Sequence, residues 1–142
     1  MIERLFSLAL WLAGIGHFVI LTASVQVPSR CGWKKDLAKL TPFNRKLFWI
    51  YSLYTFGTIL IFGLLTLFLH AELLRGDRAA LALAAFIGVF WAGRIGIDSF
   101  VFRHDDWPKG SAFVVGHLLL TSLFVCIAVT YLGLIAWHVW LR

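Results

Sequence analysis

Acidic residues are scarce in this chain: seven Asp and Glu stand against thirteen Lys and Arg, and charged residues total only 14%. An ordinary soluble domain carries about 25% charged residues, so there is too little charge here to cover a water-facing surface. Cysteine is nearly missing. Cys31 falls in a loop and Cys126 in the middle of an apolar run, so the two do not form a disulfide framework. The three prolines, Pro28, Pro42 and Pro108, lie between apolar runs and interrupt none of them. There is no phosphate-binding glycine loop, no His-Glu-x-x-His and no Cys-x-x-Cys-His, which removes the motif basis for phosphoryl transfer, metal hydrolysis and covalent haem attachment. No repeat, low-complexity tract or linker divides the chain. The first residues do not read as a cleaved leader either: Glu3 offsets Arg4, the apolar run is long, and no small-residue cleavage site follows it.

What is present is hydrophobic, at 61% of residues. It comes in four blocks, about 5–27, 47–70, 79–102 and 112–141, each long enough for the roughly 20 residues that cross a bilayer core as a helix. The pattern predicts an all-α integral membrane protein. Its single domain, residues 1–142, is a four-transmembrane-helix antiparallel bundle with a short interfacial helix in the first loop. That loop holds Arg30, Lys34, Lys35, Lys39, Arg45 and Lys46 against Asp36 alone, with Trp33, Leu37 and Leu40 at helical spacing. The formal charge of +6 is thus spread along the borders of apolar runs. That placement excludes nucleic acid as a partner and fits topology signals and anionic lipid. The first and third loops together hold eight Lys and Arg, and the opposite side holds Arg4, Arg75, Arg78 and Arg142. The imbalance predicts both termini outside and the basic first loop in the cytoplasm.

Charge inside the spans is confined to Arg94 and Asp98, four residues apart on one helix face, with Trp91 a turn earlier. Ionisable residues in a span mark a functional site because something must offset their desolvation. Counting about 1.5 Å per residue, His17 falls roughly 12–15 Å and His117 roughly 8 Å from the cytoplasmic end of their spans. Arg94, Asp98, Tyr51 and Tyr54 fall in the same half. His70 and His138 fall near the other surface. In the fourth span His117, Thr121, Phe124, Ala128, Tyr131, Ile135 and His138 form a heptad seam. In the third, Ala84, Gly88, Ala92 and Gly96 form a small-residue ridge that predicts one close helix contact. The charged loop from Ala71 to Arg78 and the loop from Arg103 to Ser111 read as short connections.

Three functions use these residues. Two histidines on different helices supply the axial ligands of a haem b, with Arg94 on a propionate, or His and Tyr hydrogen-bond a quinone while Asp98 relays a proton. The expected cofactor-binding set is His17, His117, Arg94, Asp98, Tyr51 and Tyr54, with His17 and His117 as metal ligands in the haem case alone. A membrane enzyme on a lipophilic substrate would use His17 or His117 as acid/base, Asp98 to orient it and Arg94 to hold an anionic group. A structural or assembly subunit would use them only for packing. The partners expected are membrane lipids and other membrane subunits or a second copy.

The orientation is checked by replacing Lys35 with cysteine. An impermeant thiol reagent added to intact cells is expected to leave Lys35→Cys unlabelled, and ready labelling reverses the topology.

Overall fold

The computed structural model describes residues 1–102 and 110–141, and they are helical almost throughout. The loop expected from Arg103 to Ser111, for all but its last two residues, lies outside the described residues, as does Arg142. Four helices are long and apolar enough to cross a membrane. They are α1 (Ile2–Ser24), α4 (Pro42–Phe68), α6 (Arg78–Phe100) and α7 (Ser111–Ala136), the last continued by a π-helical turn, Trp137–Leu141. Between them lie α2 (Val27–Arg30), α3 (Trp33–Leu37) and α5 (His70–Arg75). The chain is a small polytopic membrane protein with an all-α four-helix architecture.

Local chemistry sets the boundaries. Thr41 caps α4 by accepting the Asn44 N–H at 3.4 Å, and Pro42 opens the helix, where its missing N–H costs nothing. The first loop carries its expected short helix as α3, with Trp33 edge-on to Phe48 at 4.9 Å and to Trp49 at 6.0 Å. Residues 71–78 are not simply a loop. Leu73 is completely buried and the preceding His70 holds α1, so the chain makes the turns of α5 before reversing. Counting charges there hid the two leucines that fold it. Gly76 then reverses the chain at φ +80, and its N–H and that of Asp77 close on Glu72 and Leu73 carbonyls.

In the bundle α1 packs against both α4 and α7, and α6 packs against α7. Phe62 of α4 meets Phe86 and Phe90 of α6 edge-on, at 5.8 and 5.2 Å, completing the core. The packing is uneven along the bundle. At the second-loop end α1 and α4 are in near-backbone contact: a Cβ on Gly63 would lie 3.3 Å from the Gly14 carbonyl oxygen and 3.1 Å from the His17 Cβ. Toward the first-loop end buried side chains begin on α4 only at Ile59 and on α7 only at Phe124, and on α6 they stop at Trp91. Gly57, Gly93, Gly96 and Gly116, all in that half, have no described atom beyond their own turns of helix within 4 Å of where a Cβ would stand. The expected small-residue ridge therefore splits. Ala84 and Gly88 are buried, Gly88 under Leu132, whereas Ala92 is exposed and Gly96 faces open space.

This difference is measurable by thermal melting in detergent. Gly63→Ala is expected to destabilise, because a backbone carbonyl and the base of a side chain cannot move aside and overpacking costs about 1–3 kcal/mol. Gly96→Ala is expected to be neutral or to gain about 0.5–1 kcal/mol from helix propensity. Equal melting shifts for the two would contradict the uneven packing.

Candidate functional site

Two polar clusters lie inside the bundle. The first is closed. His17 on α1 has no exposed surface, and both of its ring nitrogens are engaged. Nδ1 donates to the Ala13 carbonyl oxygen at 2.7 Å, and Nε2 accepts the indole N–H of Trp91, from α6, at 3.1 Å. A nitrogen that accepts carries no proton, so this pattern fixes the neutral Nδ1–H tautomer. Phe62, Trp91 and Tyr131 surround the ring at 6.1, 5.7 and 6.2 Å, one from each of the other three long helices. Tyr131 bonds to Thr66, whose own hydroxyl donates to the Phe62 carbonyl at 2.7 Å, so the tyrosine is the donor between the two hydroxyls. Every polar atom in this cluster has a partner, as low-dielectric burial requires.

The second cluster is in the loosely packed half. Asp98 on α6 is its centre, with a side chain only 8% exposed. The two carboxylate oxygens divide the work. Oδ1 faces Arg94 Nη1 at 3.4 Å. Oδ2 takes His117 Nε2 at 2.9 Å and the Thr121 hydroxyl at 3.2 Å, both from α7. The i,i+4 spacing of Arg94 and Asp98 and the α7 seam bring these four side chains together. The Arg94 guanidinium stands 5.5 Å over the Phe124 ring and 5.8 Å over that of Phe102. Phe124 in turn stacks on Trp91 at 4.8 Å, so the indole that bonds His17 also floors the second cluster.

The expected set does not converge on one point. His117 lies fourteen residues before Tyr131, about 21 Å along α7, whereas Tyr131 touches His17. Depth counted from the span ends placed the two histidines level. The error came from α7, whose described helix starts well outside the packed region, so that residues near its beginning sit far from the core. Arg94, Asp98 and His117 do meet. Tyr51 and Tyr54 are 63% and 73% exposed on the outer face of α4, and Tyr54 edges a shallow apolar notch of about 410 Å³ rather than the interior. His70 donates to the Ser7 carbonyl at 3.1 Å and stacks on Trp11 at 4.9 Å, clamping α5 to α1. His138 lies against Gly76 and leaves no room there for a side chain.

In this arrangement His17 and His117 do not offer two axial ligands to one iron: both nitrogens of His17 are committed, and His117 belongs to the other cluster. Among the described residues no group of three or more His, Cys, Asp or Glu converges on a point where a metal ion would sit. The sequence reading passed over Trp91 as a donor, Thr66 with Tyr131, and Thr121. The heptad seam already held Tyr131 and Thr121, and the signal that went unused was the pairing of Trp91 with an apolar-face histidine on another span.

The closed cluster predicts unequal costs for two conservative changes. Trp91→Phe leaves His17 Nε2 buried without a donor, a loss of about 1–3 kcal/mol beyond the lost ring volume. Tyr131→Phe leaves Thr66 still bonded to Phe62 and is expected to cost under about 1 kcal/mol. Chemical or thermal denaturation in one detergent gives the comparison, and a larger loss for Tyr131→Phe contradicts the assigned donors.

Compared with protein-family models, curated proteins and solved structures, the chain finds no match in any of the three.

Proposed function

We propose that the chain binds a lipophilic molecule, quinone- or lipid-like, by its polar head in the loosely packed half of the bundle, and that Asp98 and His117 exchange a proton with that head. The observation that carries this reading is the 2.9 Å contact between His117 Nε2 and Asp98 Oδ2, supported from the side by Thr121 and Arg94. A carboxylate that fixes an imidazole is the arrangement by which general acid/base catalysis and proton relays work, because it sets the tautomer and steadies the charged form. The pair is not sealed: the Arg94 and His117 side chains are 37% and 19% exposed, which leaves one side of it open to a head group. Trp91 and Phe124 supply an apolar floor. The His17 cluster, closed and fully bonded, then serves as the scaffold that holds α6 and α7 in register.

The test is the content of co-purified small molecules, measured by mass spectrometry per mole of protein. Asp98→Asn and His117→Ala are each expected to lower retention about ten- to hundred-fold, the equivalent of a charge-assisted hydrogen bond of about 1.5–3 kcal/mol. Tyr51→Phe and Tyr54→Phe are expected to retain it. A wild-type protein that carries nothing, with both site variants simply less stable, would make the cluster a structural staple.

A further inference from the structure

Arg94 is the least satisfied of the four side chains. A guanidinium has five N–H donors in a planar fork. Among the described residues its one polar partner is Asp98 Oδ1, at 3.4 Å, long for a charge-assisted bond. The same carboxylate is shared with His117 and Thr121 through its other oxygen, at shorter distances. Aromatic rings at 5.5 and 5.8 Å contribute a face for the cation but no acceptor. The side chain is 37% exposed, and it lies six residues from the end of α6, about 9 Å along the axis. An arginine at that depth reaches toward the level of lipid head groups.

The first loop adds a second, independent observation at the same end of the bundle. Lys34, Lys35 and Lys39 are all exposed on or beside α3, which Trp33 holds against α4. Asp36, the acid among them, is bonded to Lys39 at 2.8 Å, and this bond and the lysine charge hold its carboxyl below the usual range. Lys34 and Lys35 remain as surplus positive charge facing the surface from which a membrane amphiphile would enter.

We infer that the molecule bound beside Asp98 and His117 is an anionic amphiphile whose phosphate or carboxylate head is taken by the open side of the Arg94 fork. This rests on the proposed binding function and narrows its ligand. Arginine suits such heads because two parallel N–H groups match two oxygens. The source is the leaflet rather than free phosphate, since the site is floored by Trp91 and Phe124 and bordered by apolar helix faces.

Native mass spectrometry of the full chain in detergent tests this, with phosphatidylglycerol, oleate, phosphatidylcholine or inorganic phosphate added at equal concentration. Phosphatidylglycerol or oleate is expected to be retained at least ten-fold better than phosphatidylcholine, and inorganic phosphate not at all. Arg94→Gln is expected to remove that preference. Arg94→Lys, which keeps the charge beside Asp98 if Arg94→Gln fails to fold, is expected to weaken it several-fold. The triple change Lys34→Gln, Lys35→Gln, Lys39→Gln is expected to preserve it in detergent. Loss of preference in the triple variant with none in Arg94→Lys overturns the assignment and places selection on the first loop. Retention of inorganic phosphate alone overturns the leaflet source. Retention of a neutral lipophile that depends on Asp98 and His117 overturns the anionic head and leaves the proposed function standing. Retention of nothing removes both.

Discussion

The hydrogen bond from the Trp91 indole to His17 is the contact on which the rest of the interior depends. In lipid, helices gain nothing from hiding apolar surface from one another, so association rests on close packing and on polar bonds between spans. This one joins α1 to α6, which share little other contact, and it sits where Phe62 of α4 and Tyr131 of α7 also converge. The Ala13 carbonyl holds the imidazole in the tautomer that accepts the bond. Exchange of either partner for an apolar residue leaves a polar atom stranded at the meeting point of four helices.

The second cluster depends on the first through Trp91. One side of the indole bonds His17, and its face stacks on Phe124, over which the Arg94 guanidinium lies. The position of α6 against α7 is thereby set about two turns from Asp98. That is what allows a side chain on one helix to meet two on the other at 2.9 and 3.2 Å. Serine and threonine hydroxyls elsewhere in the spans are turned back to carbonyls of their own helices, as at Thr55, Thr58, Ser99 and Ser122, and take no part.

The fold was legible in the sequence because its signals are local: four apolar blocks, each long enough to cross a bilayer as a helix, and a short helical spacing in the first loop. Half of the site was legible too. Arg94 and Asp98 met by their spacing, and the α7 seam carried Thr121 and His117 on the face that reaches them. The remainder depended on axial register between helices, which no single-helix pattern encodes. His17 and His117 looked level because depth was counted from span ends, and α7 overshoots the packed region. Tyr51 and Tyr54 sat on the same calculated level as the site, yet α4 turns them outward, because the contact that orients α4 is made farther along, at Gly63 and Phe62.

The contrast between the two halves of the bundle has a consequence for motion. Around Gly63 and Gly14 the helices touch nearly backbone to backbone, and separating them means breaking the whole interior. Beyond Trp91 and Phe124, α6 and α7 are joined mainly by the contacts of Asp98 with His117 and Thr121. Partial opening in this region is the cheapest excursion open to the native state, well below the free energy of global unfolding. Amide exchange is therefore expected to be slow near His17 and faster toward the first-loop ends of α4, α6 and α7. A molecule settling there stiffens what it touches, and the entropy lost in that stiffening is part of its affinity. One end of the bundle governs how long the fold lasts, and the other how readily its contents turn over.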